Sequence, residues 1–373
     1  MLSFVGNAPR LWTVPLLYTV VEGDRLRLLA QALLAAAAWL LLAREMRRWV
    51  SGIGAARTVS GLVLVLGLTQ QVIQWNTALL SESLAITTCV GLLTATMLVV
   101  RRRSWTAVAI WMLLFILWVF TRQAHAMAGG LLLLPTVAYA CTTRVMRWKA
   151  ATMAVGIALV AAWGLAATAR GGAGITRLSA ALVIKERLLT DPERLAYFAE
   201  RGLPLHAVSE DLPFSAITSD PGTAAWIDDR WTATYTRYLL THPSALAAPL
   251  QSANTDLSDD VQYTGVQPVL PPTVEGLIFG EGTFVFYALL AGAALVRQSR
   301  RRALEALEWL GLTALLFGIS WYSIVWFNAP VDIARLAAPM SVLVRLALLL
   351  VLLPTALEVA RLARAVPPRW PRE

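Results

Sequence analysis

Charge is thin in this chain of 373 residues: Asp, Glu, Lys and Arg make up 15% of it, against about 25% in an ordinary soluble domain. Lysine is nearly absent. Lys149 and Lys185 stand alone among 32 basic residues, so arginine carries the positive charge. The two cysteines, Cys89 and Cys141, both fall in apolar runs, where small core residues are expected rather than a disulfide or a metal site. No HExxH, CxxC, GxGxxG or phosphate-binding loop occurs, which removes the common soluble metalloenzyme and nucleotide-binding classes. A net charge of +9 would suit nucleic acid. The arginines stand between apolar runs, however, and no basic-aromatic surface accompanies them, so nucleic acid is not an expected partner.

What fills the chain instead is apolar. Hydrophobic residues make up 57% of it, and the mean hydropathy is +0.61. The excess falls in runs of roughly 17 to 25 residues, the length that crosses about 30 Å of hydrocarbon. Nine such runs are expected, near 25–43, 58–75, 83–100, 105–121, 125–143, 149–169, 276–296, 303–326 and 334–357. Backbone groups in lipid must bond within their own segment, and barrel strands would alternate in polarity, so these runs are helices. The expected fold is all-α: a polytopic integral membrane protein of about nine transmembrane helices, with a small, mostly helical extracytoplasmic region.

Basic clusters come at alternate ends of the runs: Arg44/Arg47/Arg48/Arg57, Arg101/Arg102/Arg103, Arg144/Arg147/Lys149, Arg297/Arg300/Arg301/Arg302 and Arg361/Arg364/Arg369/Arg372. The positive-inside rule puts all five in the cytoplasm. Residues 1–24, 76–82, 121–124, 170–275 and 327–333 then face outward, and the segment 171–275 holds thirteen acids against seven bases. Three domains follow: 1–169 with six spans, 170–275 as an extracytoplasmic loop domain, and 276–373 with three spans and a basic tail.

This topology leaves the N-terminus outside. The stretch "LWTVPLLYTVV" is too short to span and holds Pro15, which suits a re-entrant or interfacial segment. In the outer segment, "TDPERLAYFAERG" reads as a helix with Asp191 as N-cap, Pro192 at the first position and Gly202 as the stop. "AAWIDDRWTATYTRYLLTHP" reads as another that ends before Pro243, and 251–275 reads as loop.

Ionisable groups at the outer helix ends form the main constellation. Glu82 opens a run, Arg122 and His125 lie in "FTRQAHAM", Asp332 and Arg335 lie in "NAPVDIARLAAP", and Gln70, Gln71 and Gln74 end another run. Charges at membrane depth cost a few kcal/mol unless paired or wet, so they mark sites. Each has a plainer reading. Glu82 after Ser81 and Asp24 after Gly23 fit helix N-termini, where an acid gains about 0.3–1 kcal/mol from the dipole. Arg122 can meet headgroups, His125 can be a satisfied group between helices, and Asp332 with Arg335 can pair locally. Trp226, Trp231, Tyr235 and Tyr238 fit core packing better than sugar stacking.

Three stretches resemble the GT-C superfamily of bacterial membrane glycosyltransferases over roughly residues 8–360. "WNTALLSESLAI" looks like the family's Ser-Glu-Ser-Leu stretch opening a span from the outer face. "APRLWTVPLLYTVVEGDRLRLLAQALLAAAAWLLLA" is similar to its Arg/Pro–Tyr loop and early span. "WVFTRQAHA" looks like its outer-turn arginine motif, with Gln123 where relatives often carry Asp. "DPERLAYFAERGLP" also resembles the outer loop of actinobacterial members. The resemblance implies a polyprenyl-phosphate-linked sugar donor, a glycan or glycolipid acceptor, and an active site on the outer face of the bacterial cytoplasmic membrane. It further implies an outer-loop carboxylate that deprotonates the acceptor hydroxyl, and inversion at the sugar. On that basis Glu82 and Asp24 are the catalytic candidates, while Arg122, His125, Arg335, Asp332 and Gln74 are candidates for binding substrate. No metal site is expected, and a divalent cation is the one cofactor left open. In the family the principal aspartate follows a first span that precedes the Arg/Pro–Tyr stretch. This chain starts at about that loop, so that span and its acid are expected to be missing, which leaves an inactive relative as an alternative. A transporter or lipid-carrier flippase is the competing class, as is a non-catalytic membrane partner. Transporters keep polar groups at mid-membrane, whereas here, Arg345 apart, they crowd one face.

Overall fold

The computed structural model describes residues 12–79, 81–170, 173–209, 212–258, 267–301, 306–331 and 333–365. Among them there are helices and no strands. The N-terminal half is built from α1 (Thr13–Val20), α2 (Asp24–Arg47), α3 (Ile53–Gly67), α4 (Gln70–Asn76), α5 (Ser81–Arg102), α6 (Trp105–Val119), α7 (Gln123–Leu131), α8 (Leu133–Thr142) and α9 (Arg147–Arg170). The chain then forms a small helical cap: α10 (Ala173–Val183), α11 (Pro192–Ala199), α12 (Phe214–Ser219), α13 (Pro221–Trp226), α14 (Thr232–Thr241) and α15 (Pro243–Asp256). It closes with α16 (Pro272–Phe279), α17 (Thr283–Arg301), α18 (Ala306–Asn328) and α19 (Ile333–Ala365).

Six helices, counting α7 and α8 as one, are long and apolar enough to cross a membrane, and up to eight if two bent pairs each count as a span. These mark the chain as a multi-pass membrane protein. The expected nine runs all become helix, but not nine straight spans. The run 58–75 breaks between α3 and α4 with a bend of 57°, and 276–296 breaks between α16 and α17 with a bend of 58°. The run 105–121 gives only the 15-residue α6. At the first break the chain packs tightly on α2: a Cβ on Gly67 would stand 2.7 Å from the Trp39 ring. The backbone there lies flat on α2. At the second break Gly282 takes φ +80°, a conformation that favours glycine.

Burial sorts the helices. In α19, 83% of the apolar window is buried, against 33% in α2 and 22% in α7–α8, so α19 is the central post and the other two face outward. Leu26, Leu29, Leu33, Leu40 and Leu41 of α2 are exposed while Ala35, Ala38, Trp39, Leu42 and Met46 are buried. A stripe of exposed leucine opposite a packed face is what hydrocarbon, not water, tolerates. Small residues allow the tightest approach: a Cβ on Gly311 of α18 would come 2.8 Å from the Ala347 carbonyl oxygen of α19. Cys89 is buried, as expected, but Cys141 is exposed on α8, so it is a surface residue and not a core one.

Polarity is segregated along the bundle. The basic termini of α2 and α5 meet at one end, where Glu45 pairs with Arg101 (2.5 Å) and Arg48 (3.1 Å). Lys149 at the start of α9 donates to the Arg103 carbonyl there (2.5 Å). The start of α5 lies at the opposite end.

The cap has its own core. Phe198 is fully buried among Ile184, Ile217, Trp226, Ile227, Trp231 and Tyr238, so most of the aromatic stripe packs inward, as expected. Asp191 accepts from the backbone N–H of Glu193 and Arg194, both at 3.1 Å, with Pro192 at the first position. Asp220 does the same for Thr223 (2.7 Å), which holds its carboxyl below the usual aspartate range. The second expected helix carries a π-helical turn at Ile227–Trp231 and ends at Thr241, before Pro243. That turn presents Asp228 to Arg177 as a forked ion pair. Within 251–275, expected as loop, α15 runs on to Asp256 and α16 starts at Pro272. Tyr235 ties the cap to the end of α18 by donating to the Phe327 carbonyl (3.3 Å).

Candidate functional site: a shared glutamate beside a hollow

Three helix termini meet away from the basic end. Glu82 sits in the first turn of α5 and is fully buried. Its Oε1 accepts from Arg122 Nη2 at 2.8 Å and faces Arg335 Nη1 at 3.3 Å, while Ser81 donates to Oε2 at 3.3 Å. Arg122 precedes α7 in an extended conformation, and Arg335 lies in the first turn of α19. One carboxylate thus joins residues 40 and 253 positions away in sequence. The N-terminus of α5 favours an anion there. A buried carboxylate with two guanidinium partners is tolerable where an unpaired one would cost several kcal/mol.

The surroundings fix this triad. Ser83 donates to Asn76 Oδ1 (2.8 Å), pinning the turn between α4 and α5. Glu275, from α16, accepts from the backbone N–H of Gln70 (2.9 Å) and caps α4. Helix α1 lies across the ends of α5 and α6: Thr13 donates its N–H to the Phe120 carbonyl (3.2 Å) and its hydroxyl to that of Leu117 (3.0 Å). Val14 and Tyr18 pack on Leu84. The short segment expected to be re-entrant or interfacial is therefore a lid over the helix mouths. Arg27 locks it by donating to the carbonyls of Val21 (2.8 Å) and Tyr18 (2.7 Å).

Near Arg335 a narrow hollow opens to the surface, lined by Gln71, Gln74, Trp75, Asp256, Leu257, Phe279, Ala334, Ala338 and Ser341, with none of the three triad residues in its lining. Ala334 is the neighbour of Arg335 in the chain. The hollow is polar on one wall. Asp256 accepts from the Tyr322 hydroxyl (2.5 Å), which also meets Ser252 (3.1 Å). Ser341 donates to the Leu257 carbonyl (2.6 Å) and accepts from Arg345 (2.8 Å).

The candidates divide accordingly. Glu82, Arg122 and Arg335 come together, and Gln74 lines the hollow beside them. Glu82 itself is closed off, with 1% of its side chain exposed, so the geometry makes it a holder of two arginines rather than a base open to substrate. Asp24 stands apart: it is half exposed and pairs with Arg27 three residues on (3.1 Å). This is the helix-start role of its plainer reading. His125 is also absent from the hollow's lining. Its Nδ1–H donates to the Trp118 carbonyl (2.8 Å), and its ring stacks on Trp118 and meets Trp321 edge-on. Asp332 lies outside the described residues. A cation finds no fit at the triad, because two guanidiniums already face the carboxylate. Among the described residues, no three His, Cys, Asp or Glu side chains gather to hold a metal. Two acids were not singled out in the sequence, Asp256 and Glu275. Nothing distinguished them among the thirteen acids of the 171–275 segment.

No family model, no curated protein and no solved structure matches the chain.

Proposed function

We propose that the chain is a GT-C-like glycosyltransferase of the bacterial cytoplasmic membrane, with nine membrane crossings, counting the short α6 and both bent pairs. In this reading the Glu82 end faces outward and the basic end faces the cytoplasm, in keeping with the positive-inside rule. The cap, residues 170–275, is then extracytoplasmic. The single observation that carries the proposal is the pair of guanidiniums sharing Glu82 Oε1 next to a surface hollow with an acid in its wall.

The chemistry follows from those residues. Arg122 and Arg335 hold the phosphate of a polyprenyl-phosphate-linked sugar, a planar donor fork against an oxyanion. Glu82 keeps both forks aimed when the site is empty. The acceptor hydroxyl of a glycan or glycolipid enters the hollow, and its oxygen attacks the anomeric carbon as the bond to phosphate breaks. The proton passes to Asp256, and the leaving polyprenyl phosphate carries the negative charge onto the arginines. Gln71 and Gln74 offer carboxamides to sugar hydroxyls. Attack opposite the leaving group inverts the sugar.

The test is transfer from a labelled polyprenyl-phosphate sugar by the protein reconstituted in vesicles, with Arg122→Ala as the comparison. Transfer by wild type and loss in the variant, with insertion unchanged, supports the reading. Movement of labelled donor between leaflets without any new glycosidic bond would instead establish the flippase.

A further inference from the structure

A second hollow, narrow and open to the surface, lies where the cap meets the end of α18. Arg187, on the π-helical turn Ile184–Leu188 that follows α10, lines it and is only 9% exposed. Its guanidinium lies over the Trp326 ring, 3.3 Å from the centroid. Among the described residues, neither terminal nitrogen, Nη1 or Nη2, meets an acceptor in good hydrogen-bond geometry; the Tyr235 phenol is the polar side chain that faces the guanidinium as a weak partner. This is unusual, because a buried guanidinium ordinarily finds acceptors for most of its protons. Burial holds Arg187 below the usual arginine range. The Tyr235 phenol beside it, with Tyr322 and Asp256 beyond, offsets only part of that effect. Stacking on Trp326 compensates the ring face of the charge but not the N–H edge.

The rest of the lining says what would complete it. Arg194 brings a second guanidinium, itself bonded to Asp191 (2.8 Å), and Tyr235 and Tyr238 bring two phenols. Leu239, Ala245 and Phe327 make the opposite wall apolar. We propose that this hollow binds a phosphate group, held by the Nη1 and Nη2 edge of Arg187 with Arg194 as second cation, while the apolar wall takes an attached chain. The Arg187 edge suits the planar fork of a phosphate oxyanion, and Arg194 shares its charge with Asp191. No residue lines both hollows, and Asp256 in the wall of the first lies within electrostatic reach of Arg187.

The test is thermal unfolding of the purified full chain in detergent, because a ligand that binds only the folded state raises the melting temperature. The probes are decyl phosphate, inorganic phosphate and decanol. Decyl phosphate should raise the wild-type midpoint and decanol should not. In Arg187→Met the affinity for decyl phosphate should fall about tenfold or more, the scale of a lost charged hydrogen bond. Arg187→Lys, which keeps the charge without the fork, should retain a weakened response. Arg335→Gln disables the phosphate grip assigned to the triad, so the response left in that background reports this hollow, and adding Arg187→Met to it should abolish that response. Without ligand, Arg187→Met should melt no lower than wild type, because an unpaired buried charge has been removed. Inorganic phosphate acting as strongly as decyl phosphate would name the free ion as the ligand, and a weaker effect would name a lipid phosphate. An Arg187→Met variant that melts well below wild type and still responds fully to decyl phosphate would overturn the site, as would an equal response to decanol.

Discussion

Glu45 and Glu82, at opposite ends of the helix bundle, are both buried and both held by two arginines, and the two differ in how completely. At the basic end Arg101 grips both oxygens of Glu45, Nε at 2.5 Å and Nη2 at 2.9 Å, and Arg48 adds a third contact at 3.1 Å. These residues come from the facing ends of α2 and α5, which they fasten together. At the other end both guanidiniums converge on one oxygen of Glu82, at 2.8 and 3.3 Å, and among the described residues the second oxygen receives the Ser81 hydroxyl. The first is a closed, bidentate clasp. The second draws three separate helix termini to a point beside a hollow. Residue type alone therefore does not distinguish a fastening from a site; the number of oxygens engaged and the space alongside do.

The largest change is expected from Asp256→Asn, which removes the acid from the hollow's wall. Initial rates of sugar transfer should fall about 10²- to 10⁴-fold, the range of a lost general base, with the folded yield unchanged; no residue at the basic end should match it. Next comes Glu45→Ala, which leaves Arg101 and Arg48 unpartnered. Breaking a buried pair costs about 3–5 kcal/mol, and because both arginines are about a third exposed, the lower part of that range is expected in unfolding measurements in detergent. Arg335→Lys should act more mildly, raising the KM for donor about tenfold with little change in melting temperature, because the charge stays and the fork goes. Arg101→Lys should instead lower the melting temperature and leave KM unchanged.

The smallest effect belongs to the cap. Asp228 is held below the usual aspartate range by its hydrogen bonds from Arg177. A depressed folded-state value means the pair's contribution is full above the unfolded value of about 3.9 and is lost as pH falls through the folded one. Hydrogen exchange in α10 and in the turn Ile227–Trp231 should therefore rise below about pH 4. Asp228→Asn should flatten that dependence without altering transfer at neutral pH.

The helices, the segregation of basic residues and the convergence on Glu82 were legible in the sequence for one reason. In so apolar a chain, a charge at the edge of a run stands out and must be accommodated. The breaks were not legible: the close contact of Gly67 with Trp39 comes from another helix, and periodicity carries no trace of it. Asp24 and His125 share the residue types of the Glu82 cluster, and only packing separates them from it. Asp256 was hidden for the opposite reason: in a polar segment an acid is ordinary, and its place in the hollow arises from α15 meeting Tyr322. Arg187 was obscured in the same way.

The most direct test sets the two glutamates side by side. Glu82→Gln and Glu45→Gln are reconstituted in vesicles at equal amounts of folded protein and assayed for transfer from a labelled polyprenyl-phosphate sugar. The account predicts that Glu82→Gln loses transfer while Glu45→Gln keeps the wild-type rate per folded molecule. Full transfer by Glu82→Gln, or equal losses in both variants, would contradict it.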